Sequence, residues 1–294
     1  MDVKPRFCVA IALVAAAPAR AHDLGVGTQV PEWTWDVWII GPLGLSFALF
    51  FAGWVRLRRR SGPGGVQLSR RALLFLIGWA VLAFALVSPL HQLGERSFAA
   101  HMFEHELLML AAAPLLVLAR PLAILLWAFP ADARRGLGGV GGALVPAWRT
   151  ATAPVAATLL QAAALWLWHA PSLFDRALAD ETWHAVQHLS FLVSALLFWT
   201  AMFARTTPRG TAALCLFATS LVSGALGALM AFAMSPWYAR YAAMGMAPFN
   251  LSPLEDQQLA GLLMWVPGGM VHAGGALVVV HTMLGRSREA GHAV

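Results

Sequence analysis

Two pairs of histidines share one spacing. His101 and His105 stand four residues apart, and so do His184 and His188. Residues i and i+4 share one face of a helix, so each pair presents two imidazoles in one direction. Imidazole is a ligand for copper, zinc, iron and nickel. His169 closes an apolar run that would end at the same level, which makes His101, His105, His169, His184 and His188 the candidate metal ligands. The bland alternative is a set of interfacial histidines hydrogen-bonded to neighbouring tryptophans and carboxylates. Met102 and Met109 flank the first pair, and Met234, Met244 and Met246 fall in a late loop. Thioether beside imidazole favours Cu(I), so Met102 joins the candidates, although methionine is also an ordinary apolar filler. His272 sits deep in the last apolar run, on the face of Met264 and Gly268, as a relay or a structural hydrogen-bond donor. Asp256 opens that run, where it would cap the helix N-terminus or orient a ligating imidazole. His22 follows Ala19-Arg20-Ala21, and cleavage there would place an amine and an imidazole on one residue, a copper chelate.

These residues need a scaffold, and the composition says which kind. Hydrophobic residues make up 59% of the 294-residue chain and charged residues 12%, about half the ~25% of a soluble domain. The length accommodates about seven spans of roughly 20 residues each. The sequence predicts an all-α membrane protein: a signal peptide over residues 1–21, then a single domain over 22–294 with spans near Asp36–Val55, Ala72–Leu90, His101–Ala119, Ala153–His169, Trp183–Ala204, Thr211–Met234 and Asp256–Leu284. Leu122–Phe129 reads as a short surface stretch and Gly136–Gly142 as a flexible loop. The two cysteines, Cys8 and Cys215, form no CxxC and suggest neither a disulfide nor a thiolate site.

Fourteen arginines fall in the loops and tail on one side of these spans, against Arg96, Arg176 and Arg240 on the other. The positive-inside rule then places the mature N-terminus outside the cytoplasm and the C-terminus inside. It also accounts for the formal charge of +6 without nucleic acid. Under this orientation both histidine pairs lie at the outer ends of their helices. There is no GxSxG, HExxH or P-loop, so an enzyme is not expected.

Four stretches carry a resemblance. They are His101-Met102-Phe103-Glu104-His105-Glu106-Leu107-Leu108-Met109-Leu110 running on through Pro114 to Arg120-Pro121; Trp166-Leu167-Trp168-His169-Ala170-Pro171; Trp183-His184 through His188-Leu189-Ser190-Phe191; and Asp256-Gln257-Gln258 through Pro267-Gly268-Gly269. Together they resemble the CtaG family of integral-membrane cytochrome c oxidase assembly proteins. The resemblance implies a seven-helix bacterial inner-membrane protein that matures a haem-copper oxidase, supplying copper as Cu(I) or Cu(II) to its Cu(B) centre. Its partners would be an oxidase subunit or a copper donor protein. Glu106 stands where the family pattern has methionine, a hard donor for a soft one. The competing expectations are a bis-histidine haem electron carrier and a copper permease with a midplane site.

Overall fold

The computed structural model describes residues 31–60 and 65–291, and these form helices and connecting turns with no strand. The expected leader over residues 1–21 and the candidate His22 lie outside the described residues. In chain order the helices are α1 (Val37–Arg58), α2 (Gly65–Val87), α3 (Pro89–Gly94), α4 (Phe98–Glu106), α5 (Ala113–Ala119), α6 (Pro121–Leu126), α7 (Ala131–Ala151), α8 (Pro154–Trp168), α9 (Pro171–Ala179), α10 (Glu181–Phe203), α11 (Arg209–Ala231), α12 (Ala239–Met244) and α13 (Pro253–Gly291). Six segments are long and apolar enough to cross a membrane: α1, α2, the run Phe98–Ala119, α10, α11 and α13 as far as His281. The chain is therefore a multi-pass membrane protein.

The seventh span departs from expectation. α8 has only 15 residues, about 22 Å at 1.5 Å each, short of a ~30 Å hydrocarbon core. It is joined to α7 at a bend of 76°, and the bent pair counts as one span or as a broken one. The stretch Gly136–Gly142, expected as a loop, is helical within α7. A glycine costs a helix about 1 kcal/mol, but an unpaired backbone group near lipid costs more, so helix wins. A Cβ added at Gly136, Gly138, Gly139 or Gly142 would meet nothing within 4 Å, so these glycines are not there for close packing.

The histidine-bearing helix ends gather at one end of the bundle and most arginines at the other. At the arginine end, the Arg56 guanidinium donates to the carbonyls of Trp127 and Ala128 at 3.2 and 2.6 Å, in the turn that follows α6. Arg134 stacks on the Trp127 ring, 4.0 Å from its centroid.

The run α4–α5 lies at the centre. Of the nine residues of α4, seven are buried. Its N-terminus is held by two caps. Ser97 Oγ accepts from the Ala100 amide, and the Asp256 carboxylate accepts from Ser97 Oγ at 2.8 Å and from the Phe98 and Ala99 amides at 2.6 and 3.3 Å. This corrects the expectation for Asp256. α13 begins with its own capping box, in which Ser252 Oγ accepts from Glu255 N–H and Glu255 accepts from Ser252 N–H. That leaves Asp256 to satisfy the orphan amides of a different helix, and none of its hydrogen bonds among the described residues goes to an imidazole.

Between α4 and α5 the helix widens into a π segment, Leu107–Ala112. Pro114 explains it. In the π register Ala113 N–H reaches Leu108 O, so the donor for Met109 O would be residue 114, which has no N–H. Trp199 Nε1 fills that gap from α10, donating to Met109 O at 2.9 Å. On the far side α11 and α13 touch through glycine: a Cβ on Gly227 would lie 2.7 Å from Gly261 O, and one on Gly261 2.5 Å from Gly227 O. Such contact between backbones is how membrane helices associate closely.

Candidate metal site

α4 places His101, Glu104 and His105 on one face, at i, i+3 and i+4, all at most 1% exposed. α10 supplies His184 and His188. Its N-cap, Asp180, accepts from the Thr182 and Trp183 amides at 2.8 and 3.0 Å and so fixes the turn just before His184. α3, started by Pro89 with Ser88 as its cap, adds His91. The rings pack tightly. Centroid separations are 4.4 Å for His101–His105, 4.9 Å for His105–His188, 4.4 Å for His184–His188, 5.1 Å for His101–His184 and 5.4 Å for His91–His184.

One nitrogen from each of His101, His105 and His188 lies within 4.8 Å of the others. A second group, His91, Glu104 and His188, meets the same limit. Zinc-type M–N bonds are ~2.0–2.1 Å, so two nitrogens on one ion stand at most ~4.2 Å apart, close to the limit that these three meet.

The hydrogen bonds around the cluster set which nitrogens are free. Burial raises the Tyr241 phenol well above its ordinary pKa, so it remains a donor, and it donates to Gly94 O at 2.5 Å. Its oxygen is then an acceptor for His101 Nδ1 at 3.2 Å. With Nδ1 carrying the proton, His101 Nε2 offers a lone pair, and it is buried without a partner. This is the arrangement in which an outer hydrogen bond fixes the tautomer of a ligating histidine. Both nitrogens of His105, and Nε2 of His184 and of His188, are likewise buried and unpartnered. Unsatisfied buried polar atoms are rare, and four imidazoles that share this condition suit a cation.

Glu104 supplies the only carboxylate against these rings among the described residues. Its Oε1 accepts from His91 Nδ1 at 2.8 Å and lies 3.6 Å from His188 Nδ1, while Oε2 has no partner. Burial alone would lower the His91 pKa, but the charge and hydrogen bond of Glu104, with Glu95 and Asp36 beyond, hold it above its ordinary value. The site also depends on a close approach at Gly94, where a Cβ would sit 3.3 Å from His101 Cα and 3.5 Å from Glu104 Oε2.

The remaining candidates fall elsewhere. His169 is buried, but its Nδ1 bonds the Leu165 carbonyl at 2.7 Å and its Nε2 lies 3.2 Å from Met102 Sδ. The carbonyl requires the proton on Nδ1, which leaves the Nε2 lone pair of His169 facing Met102 Sδ, on a different face of α4 from His101 and His105. Tyr238 O–H donates to His169 O at 3.1 Å and anchors that helix end. His272 faces the bundle interior, stacked 5.7 Å from the Trp199 ring, well below the cluster. Met234 and Met246 are exposed. Three residues of the site were not among the sequence candidates: His91, Glu104 and Tyr241. His91 lay at the expected outer level, and Glu104 shares the face of His101 and His105 at i+3 spacing; nothing local in the sequence marked Tyr241.

The family model of the cytochrome c oxidase caa3 assembly factor (Caa3_CtaG) matches residues 48–286, a stretch that contains every residue of the cluster. No curated protein and no solved structure matches the chain. The chain belongs to the caa3 assembly-factor family.

Proposed function

We propose that this assembly factor carries copper as cargo on the imidazole cluster and releases it to the oxidase, at its Cu(B) centre. The carrying observation is that His101, His105 and His188 place buried, unpartnered nitrogens within 4.8 Å of one another. His184 lies against two of them as a fourth donor during entry or release. The donor chemistry fits the cargo. Neutral imidazoles bind Cu(I) and Cu(II), and the Glu104 carboxylate offsets the charge of an ion held away from water. The asymmetry of fourteen arginines against three supports a cytoplasmic arginine end and a histidine end facing out of the cytoplasm. Copper would then be held on the side opposite the C-terminus.

Haem is a poorer occupant. Rings with centroids 4.4–5.7 Å apart leave no slot for a macrocycle among them. Titration of the purified protein with copper tests the reading. The His101→Asn/His188→Asn variant should lose one bound copper per chain. An unchanged count, or a Soret band in the wild-type protein, would reject the copper cluster.

A further inference from the structure

Glu106 directly follows His105 but lies about 100° further round the helix, away from the cluster and toward α8, α11 and α13. There it lines a cavity of about 30 Å³ together with Thr158, Gln161, Thr219, Ser223 and His272. That is room for one ion or a water or two. Counted along α4 at 1.5 Å per residue, the cavity lies ~12 Å inside the membrane from Phe98.

Among apolar neighbours, the lining holds several acceptor atoms. Glu106 Oε2, Gln161 Oε1 and His272 Nε2 are buried and have no partner. His272 Nδ1 lies 2.9 Å from the Gly268 carbonyl, which only an N–H can satisfy, so the proton sits on Nδ1 and Nε2 keeps its lone pair. The hydroxyls point the same way. Thr158, Thr219 and Ser223 donate to the carbonyls of Pro154, Cys215 and Thr219 at 2.8, 2.9 and 2.8 Å, which leaves their oxygens as acceptors. Glycine at 268 lets α13 lie close to the carboxylate, since a Cβ there would stand 3.3 Å from Glu106 Oε2, a tight contact.

A carboxylate oxygen buried without a partner is costly in a membrane, and unpartnered acceptors lining one small cavity attract a cation. We propose that Glu106, Gln161 and His272 form a second cation seat inside the membrane, distinct from the histidine cluster, for a divalent first-row transition-metal ion. The donor set decides the class. One imidazole with carboxylate, amide and hydroxyl oxygens suits a borderline or hard divalent ion, whereas softer copper prefers the imidazole nitrogens of the outer cluster. The seat is inferred independently of the copper reading above.

The full chain in lipid nanodiscs, titrated with Cu2+ and read by metal count and pulsed EPR, tests it. The wild type should bind two ions. His101→Asn/His188→Asn should retain one, with nuclear modulation from a single imidazole. Glu106→Gln, which keeps the shape, should retain only the ion with several imidazoles, and His272→Gln should do the same. A Glu106→Gln protein that still binds two ions overturns the seat, as does a His101→Asn/His188→Asn protein that binds none. A count that falls with Glu106→Gln but not with His101→Asn/His188→Asn supports the seat and rejects the outer cluster, so the two readings fail separately.

Discussion

The tautomer of His101 can be tested by removing one oxygen. Tyr241→Phe keeps the ring, which packs 5.6 Å from Phe98, and deletes the hydroxyl that links Gly94 O to His101 Nδ1. The substitution acts differently on the metal-free and the loaded protein. Without metal, the buried Gly94 carbonyl loses its donor, at a cost of about 1–3 kcal/mol. In the loaded protein His101 also loses the acceptor that keeps its proton on Nδ1. Removing such an outer hydrogen bond lowers metal affinity about 10–100-fold, or roughly 1.4–2.7 kcal/mol in binding. Chelator competition with copper on the purified variant measures the second effect, and thermal unfolding without metal measures the first. His101→Asn sets the scale for loss of a ligand. Should Tyr241→Phe bind copper within twofold of wild type while His101→Asn loses it, the hydroxyl does not set the tautomer and Nε2 is not held free by it.

Glu104→Gln removes the partner of His91, whose pKa is raised in the fold. A raised pKa contributes stability that is lost as pH rises through the folded value, so the part of the stability gap between wild type and Glu104→Gln that comes from His91 should narrow toward alkaline pH. Asp256→Ala strips the carboxylate from the first turn of α4, and should cost about 1–3 kcal/mol and weaken copper binding without removing a ligand. Trp199→Phe orphans the Met109 carbonyl, at about 1–3 kcal/mol; in a Pro114→Ala background the restored amide can serve that carbonyl, so the cost measured by a double-mutant cycle should shrink.

The legible part of the sequence was local. Hydropathy located the spans, since a run of apolar residues needs no partner to be recognised. The i, i+4 spacing of His101–His105 and His184–His188 survives as a shared face because helix geometry guarantees it. Features that depend on a second element stayed hidden. Tyr241 meets His101 across 140 positions and Asp256 meets Ser97 across 159, and neither has a spacing to betray it. Asp256 shows the limit most clearly. Its position beside Glu255 at the start of an apolar run reads as a cap for that run, yet Ser252 already holds that post. The carboxylate instead turns to the helix that carries the histidines. His169 is governed by contacts of the same kind: it ends its helix where the sequence places it, and Leu165 O and Met102 Sδ fix the direction of its ring.

The α4 run therefore has an order imposed from outside. Asp256 of α13 fixes its start, Trp199 of α10 satisfies the backbone gap that Pro114 opens, and the π segment between begins one residue after Glu106. An extra residue per turn in that segment rotates the C-terminal part of the run relative to its N-terminal part. His101, His105 and Glu106 all precede that segment, so regular helix geometry sets their mutual placement, while Met109, one turn on, lines the cavity shared with Gln161 and His272. Closing the π segment by deleting one residue within Leu107–Ala112 should thus turn α4, with the ligands of both seats, relative to α5, and cost more binding than any single ligand substitution; a deletion variant that folds and still binds both ions would show that the widened turn has no part in positioning them.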